Sequence, residues 1–214
     1  MVSNVVITLL RHGRTLDNEK SRYSGWIDSK LSKLGKAEIN EIKDFYKNTF
    51  SNNIDKIYTS DLKRTIETAN LLFQNKYPTC QLKELREMHF GDFEGKTYEN
   101  LKDNQAYQTW LNNLYTYELP NGESFNQFTN RIDESFSEIK NEIINNKFKH
   151  IVLVVHGGVI RHLLMKLADD TRNFFDWQVP FAKGYQLKGS YSMLKEENPC
   201  MSLQVVPTME NGNS

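Results

Sequence analysis

One feature constrains the fold more than any other, and it occurs twice. Val5-Val6-Ile7-Thr8-Leu9-Leu10 and Ile151-Val152-Leu153-Val154-Val155 are short runs rich in β-branched apolar residues. The first stops at Arg11-His12-Gly13 and the second at His156-Gly157-Gly158. A run with so little polar alternation is buried on both faces, as in a parallel sheet covered by helices. Glycine just beyond the strand lets the backbone turn sharply and approach a ligand closely. A histidine in that place is held at the rim of a rigid sheet.

The segments between these strands alternate in kind. Leu31 to Phe50 carries apolar residues at roughly helical spacing, and Ile54 to Thr59 predicts a second strand. Ser60-Asp61 offers an N-cap for a helix whose apolar face is Leu62, Ile66, Ala69, Leu72 and Phe73. Cys80 to Leu85 predicts a third strand. Thr97 to Lys147 holds two helical patterns, split by the turn signal Leu119-Pro120-Asn121-Gly122. After Ile151 to Val155 a helix runs through Val159, Ile160, Leu163, Leu164 and Leu167. Two further strands are expected around Tyr185 to Leu194 and Met201 to Val206. The expected fold class is α/β: a three-layer sandwich with a mostly parallel sheet and a helical excursion subdomain over about 97–147. For 214 residues one domain is expected over 1–214, with that insertion and a frayed polar tail over 207–214.

Composition narrows the function. Lys and Arg total 27 and Asp and Glu total 27, so no bulk positive field is available and no nucleic-acid partner is expected. The apolar runs are far shorter than a membrane span, and Val5 to Leu10 lacks the basic flank of a signal peptide. Cys80 and Cys200 lie in no Cys-x-x-Cys or Cys/His cluster and are expected to be reduced thiols. A cytoplasmic protein without a membrane partner, monomer or homodimer, is the expectation.

In open α/β sheets ligands sit beyond the carboxyl ends of the strands. Arg11, His12 and His156 fall there. Arg64, in Asp61-Leu62-Lys63-Arg64-Thr65, falls in the first turn of the helix after the second strand. Such a helix end favours anions, and a guanidinium adds a bidentate fork suited to phosphate. Glu87, in Leu85-Arg86-Glu87-Met88, follows the third strand on the same edge. A phosphate dianion beside it would favour the neutral acid, the form a general acid needs. His12, His156 and Glu87 could also make a two-His, one-carboxylate metal site. The permanent cations Arg11 and Arg64 oppose a divalent ion there, so no metal and no cofactor are expected.

Leu10-Arg11-His12-Gly13 with Thr15 and Asn18, Ser60-Asp61-Leu62-Lys63-Arg64-Thr65, Leu85-Arg86-Glu87 and Val155-His156-Gly157 occur in that order. Together they resemble the signature of the histidine phosphatase (phosphoglycerate mutase-like) superfamily, over Val5 to about Met165. The resemblance implies a single α/β domain with a helical excursion and no metal. It implies that His12 is a nucleophile forming a phosphohistidine, and that Arg11, Arg64 and His156 bind the phosphoryl oxygens. Glu87 would donate a proton to the leaving alcohol and then act as base for water. Asn18, Ser24 and Gly25 match positions lining the phosphate pocket, and Gly157 is carried with His156 as a substrate-binding position. Imidazole attacks phosphorus only when neutral, and neighbouring guanidinium groups favour that form.

Leu85-Arg86-Glu87-Met88-His89-Phe90-Gly91-Asp92-Phe93-Glu94-Gly95 resembles the phosphatase branch, and most of all the α-ribazole-phosphate phosphatases of cobalamin synthesis. Gly122-Glu123-Ser124 fits that branch too, and the stretch from Glu87 to His156 is shorter than in the cofactor-dependent mutases. The resemblance therefore implies a metal-independent phosphomonoesterase for a small phosphate ester, with α-ribazole 5′-phosphate the leading substrate. A cofactor-dependent phosphoglycerate mutase and a catalytically silent phosphate-binding module are the alternatives. Arg14 departs from the pattern, which commonly has Glu or Gln there; it is either an extra anchor for an anionic substrate or a surface residue. Tyr98, Tyr107, Trp110 and Tyr115 form either an aromatic wall for the substrate or helical core.

Overall fold

Alternate residues of the two central strands face opposite layers of the molecule. Val5, Ile7 and Leu9, with Ile151, Leu153 and Val155, are buried with Ile132, Phe136, Ile139, Ile143 and Leu163. Leu10, Val152 and Val154 are buried on the other side with Ile39, Tyr46, Leu72 and Phe73. A strand covered on both faces in this way accounts for the unbroken apolar runs.

The structure, a computed structural model, describes residues 4–50, 53–196 and 201–207. Its elements are β1 (Asn4–Arg11), α1 (Leu16–Glu19), α2 (Lys33–Thr49), β2 (Lys56–Thr59), α3 (Lys63–Phe73) and β3 (Thr79–Gln81). Then follow α4 (Tyr98–Leu101), α5 (Gln105–Asn112), α6 (Phe125–Asn146), β4 (His150–Val155), α7 (Gly157–Leu167), β5 (Gly184–Ser190), α8 (Tyr191–Leu194) and β6 (Ser202–Val206). The strands form one sheet in the order β3-β2-β4-β1-β5-β6. The pairs β3-β2, β2-β4 and β4-β1 are parallel, and β1-β5 and β5-β6 are antiparallel. This is the α/β sandwich with a mostly parallel sheet. The stretch 98–146 is helical, with α4 preceding the two longer helices. α5 and α6 both send side chains into the core shared with the sheet. Among the described residues no helix is long and apolar enough to cross a membrane.

Four local expectations are corrected. The third strand ends at Gln81, not Leu85, because its partner β2 ends at Thr59, whose carbonyl takes the Leu82 N–H; Lys83–Leu85 is a single 3-10 turn. The helix after β2 is not capped by Ser60 or Asp61: Ser60 Oγ is bound to His156 and Thr65, and Asp61 pairs with Arg86, so α3 starts at Lys63 behind Leu62. The strand from Tyr185 stops at Ser190, whose hydroxyl accepts the Met193 N–H and starts α8. Met201 makes only an isolated bridge to Ala168, so β6 begins at Ser202. Cys80 is a free thiol. Cys200 and the tail beyond Pro207 lie outside the described residues.

β4 opens on His150, which is 7% exposed, with its Nε2 2.8 Å from Thr8 Oγ1. Burial lowers its pKa to about 4. Unfolding between that value and the ordinary value of about 6.5 therefore takes up a proton, and stability falls as pH falls through this window. From pH 7 to pH 5 this one group is expected to remove about 2 kcal/mol. Urea titrations should show that His150→Gln loses less stability over that interval by about this amount; an identical pH dependence in variant and parent contradicts it.

Candidate active site

Parallel pairing aligns Arg11 of β1 with Val155 of β4, so the next residues, His12 and His156, lie side by side at the sheet rim. The His12 N–H donates to the Val155 carbonyl at 2.9 Å, and the ring centroids are 5.2 Å apart. Both rings are buried, His12 at 5% exposure and His156 at 0%.

Hydrogen bonding sets the proton position on each ring. His12 Nδ1 lies 2.7 Å from the Gly13 carbonyl. A carbonyl only accepts, so the neutral ring carries its proton on Nδ1 and its lone pair on Nε2. No protein donor among the described residues meets that lone pair. Burial holds the His12 pKa well below the ordinary value, and Arg64 and then Arg11 push in the same direction. His156 has the opposite tautomer. Arg64 Nε–H donates to its Nδ1 at 3.3 Å, so its proton sits on Nε2 and faces Ser60 Oγ at 2.8 Å. Ser60 Oγ is 2.9 Å from Thr65 Oγ1, whose hydroxyl donates to the Leu62 carbonyl. Burial, then Arg64, His12 and Arg11, hold the His156 pKa well below ordinary.

Two buried guanidinium groups flank the pair. Arg11 donates from Nη1 to the Val179 carbonyl at 2.7 Å and stacks 3.9 Å over the Phe181 ring; its Nε is buried without a partner. Arg64 is 1% exposed and donates to the carbonyls of Gly25 at 2.6 Å, Ile27 at 2.8 Å and Ser24 at 3.4 Å. Burial lowers both pKa values to about 10, so both remain cations at neutral pH. The loop that Arg64 holds is secured from the other side by Glu94, whose carboxylate accepts the Trp26 and Ile27 N–H groups, each at 2.7 Å. Gly25 presses against the Met88 carbonyl, where any Cβ would collide. Ser24 Oγ in this loop is buried and unpartnered.

Glu87 is held at both ends. Its Oε2 accepts the Gly158 N–H in the first turn of α7 at 2.9 Å, and its Oε1 accepts the Met88 N–H at 3.0 Å. A Cβ at Gly158 would collide with Glu87 Oε1 and push the carboxylate out of this position. The Glu87 carbonyl accepts from Trp26 Nε1 at 3.0 Å and from Arg131 Nη2 at 3.3 Å. Arg131 also reaches the carbonyls of Glu84 and Arg86 and forms a two-point pair with Glu123 at 2.8 Å.

The structure thus brings Arg11, His12, Arg64 and His156 together, with Gly157 against the Arg11 guanidinium and Glu87 beside it on Gly158. Asn18 is placed differently. Its Oδ1 takes the N–H and hydroxyl of Thr15 in a capping box for α1, and no hydrogen bond joins it to the histidines among the described residues. Arg14 pairs with Glu38 at 3.0 Å and lies 4.8 Å over Phe181. Tyr107 is core, with its hydroxyl 2.7 Å from that of Tyr23, while Tyr98 and Tyr115 are exposed. Trp110 is buried and also lines a cavity next to Glu87. Sequence reasoning missed Gly158, Glu94, Arg131 and Phe181 as supports of the site. The doubled glycine after His156 was a signal for Gly158; isolated charges in charged segments gave none for Glu94 and Arg131.

Comparison with known proteins identifies the family. The sequence profile of the histidine phosphatase superfamily (branch 1) matches residues 7–188. An adenosylcobalamin/alpha-ribazole phosphatase of Salmonella typhimurium is 30% identical over 162 residues, covering 74% of this chain and 77% of the relative. A 2,3-bisphosphoglycerate-dependent phosphoglycerate mutase of Blochmanniella floridana is 32% identical over 205 residues, covering 80% of this chain and 87% of the relative. Among solved structures, the alpha-ribazole phosphatase from Shigella flexneri superposes with a TM-score of 0.78 at 23% identity, covering 94% and 95% of the two chains, which establishes the shared fold.

Removing the Arg131 fork takes one donor from Glu123 and from three carbonyls, of which Glu123 keeps the His89 N–H and the Glu87 carbonyl keeps Trp26 Nε1. Arg131→Met is expected to lower stability by about 1–3 kcal/mol, the range for buried groups that lose a hydrogen-bond partner. Arg131→Lys should recover less than half, because an ammonium cannot span the same acceptors. Urea unfolding measures both, and a loss below about 0.5 kcal/mol, the scale of an ordinary surface change, contradicts the clamp.

Proposed function

We propose, for a chain that belongs to the histidine phosphatase superfamily, that His12 carries the phosphoryl group on Nε2 while a small phosphate monoester is hydrolysed. The protein is a phosphatase. The observation that carries the mechanism is the 2.7 Å contact of His12 Nδ1 with the Gly13 carbonyl, which commits the ring proton and leaves Nε2 a free lone pair.

The reaction runs in two displacements. Nε2 attacks phosphorus, the bond from phosphorus to the alcohol oxygen breaks, and Glu87 gives that oxygen its proton. Water then attacks the phosphohistidine, Glu87 takes a proton from it, the Nε2–P bond breaks and phosphate leaves. Charge spread over the three equatorial oxygens is met by Arg11 and Arg64. Arg11 Nε and Ser24 Oγ, both buried and unpartnered, support a pocket for those oxygens, with Gly25 and Gly157 as its close backbone walls. Asn18 would contribute through its amide nitrogen, since its oxygen is engaged by Thr15. His156 acts through Arg64, whose Nε–H its neutral Nδ1 accepts, holding that guanidinium beside the phosphoryl oxygens. Both ring nitrogens of His156 are already engaged, by Ser60 and Arg64, which supports chemistry without a metal.

Among substrates we favour α-ribazole 5′-phosphate, because the Salmonella relative carries that activity in its name. The setting would be the cytoplasm, on a dissolved ester, with no nucleic acid involved. The Blochmanniella relative favours a second reading as a mutase. The test is turnover of a chromogenic phosphomonoester in excess EDTA. Vanadate should inhibit it, and His12→Ala should lower it by more than the roughly 10²–10³ typical of losing one donor. Phosphate release should outrun isomerisation of phosphoglycerate. Because His12 stays neutral well below its ordinary value, kcat/KM should show no inflection near pH 6.5 from this group. Full activity of His12→Ala, or its abolition in the parent by EDTA, contradicts the proposal.

A further inference from the structure

We infer that the cavity beside Glu87 selects phosphate monoesters whose leaving alcohol carries a flat aromatic ring; this rests on the phosphatase reading with Glu87 as proton donor. A proton donor must touch the leaving oxygen, so whatever that oxygen is bonded to extends into the space next to Glu87. That space is a cavity of about 230 Å³ with Glu87 and Gly158 in its lining. Its walls are predominantly aromatic and include Trp110, Phe125, Phe174 and Phe175. An apolar cavity of about 150 Å³ accommodates benzene, so this one has room for a larger, fused ring system.

The rings brace one another. Phe125 and Phe174 meet edge to face at 5.1 Å, Phe174 and Phe175 at 5.0 Å, and Tyr115 closes on Phe125 at 4.9 Å. This packing presets their orientation before a ligand arrives. Phe175 is nonetheless 45% exposed and Tyr115 46% exposed. Exposed apolar rings that adjoin a cavity mark a recognition surface more than a core.

The lining also holds one cation. Beside Glu87, which is the neutral acid when it donates its proton, stands Arg161. Arg161 donates Nε–H to the Trp177 carbonyl and lies 5.9 Å over the Phe174 ring. A bare sugar or glycerate group would leave the aromatic walls uncovered. A ring stacked on those walls, with Arg161 donating to an oxygen or ring nitrogen, satisfies both features.

The test compares naphthylmethyl phosphate with ethyl phosphate. Both join phosphorus to oxygen and a methylene carbon, so they differ mainly in the group entering the cavity. The parent enzyme is expected to show kcat/KM about tenfold or more higher for the naphthylmethyl ester, the factor that ~1.4 kcal/mol of ring contact gives. Phe175→Ser and, separately, the cavity-filling Leu114→Trp should each lower that ratio several-fold. Equal kcat/KM for the two esters in the parent, or a ratio unchanged in both variants, overturns the inference while leaving the phosphatase reading intact. Turnover of neither ester, with no phosphate released from any phosphomonoester, overturns the phosphatase reading itself.

Discussion

The pairing of β1 with β4 is the constraint on which the rest depends. Neither strand alone makes a site. Their parallel register, Arg11 opposite Val155, carries two histidines and an arginine to the same level of one rim. A slip of one residue in either strand would turn its buried set to the wrong face. The apolar side chains above and below the sheet, all at or near zero exposure, therefore maintain the geometry of the His12 and His156 rings as well as the fold. Everything else at the rim is arranged around that pair. Arg64 reaches it from α3, Glu87 meets it through the Gly158 amide, and Arg11 is clamped between Val179 and Phe181.

Burying two guanidinium groups beside two imidazoles is costly, and the structure offsets the cost with hydrogen bonds more than with opposite charges. Arg64 is met chiefly by backbone carbonyls and a neutral ring nitrogen. Burial first, and the guanidinium charges after it, keep both histidines uncharged. A chain with a formal net charge of zero thus concentrates positive charge at one place. Arginine, able to fork between carbonyls and still present a planar face to an anion, suits that place better than lysine.

The parts of the molecule legible in the sequence were those set by strong local patterns. The unbroken runs before His12 and His156 gave the two central strands, and the Gly residues after them gave the rim. What was not legible depended on partners distant along the chain. Ser60 looks like a helix cap, but His156, 96 residues away, takes its hydroxyl. Cys80 to Leu85 looks like a longer strand than β2 can pair. Glu94 and Arg131 look like surface charges until the amides and carbonyls they hold are seen. The motif marks Asn18 but not that its oxygen closes its own helical turn. The four aromatics of the helical stretch divide: Tyr107 is core, Trp110 is both core and cavity wall, and Tyr98 and Tyr115 are exposed.

The central claim is that the free lone pair on His12 is the atom that receives the phosphoryl group. The most direct measurement is rapid quenching of the enzyme with a radiolabelled phosphomonoester, followed by proteolysis and location of the label. The account predicts label on the peptide carrying His12, stable to alkali and lost in acid, with none on His156. Stable label on a serine or an aspartate, or turnover with no labelled peptide at any quench time, would contradict it.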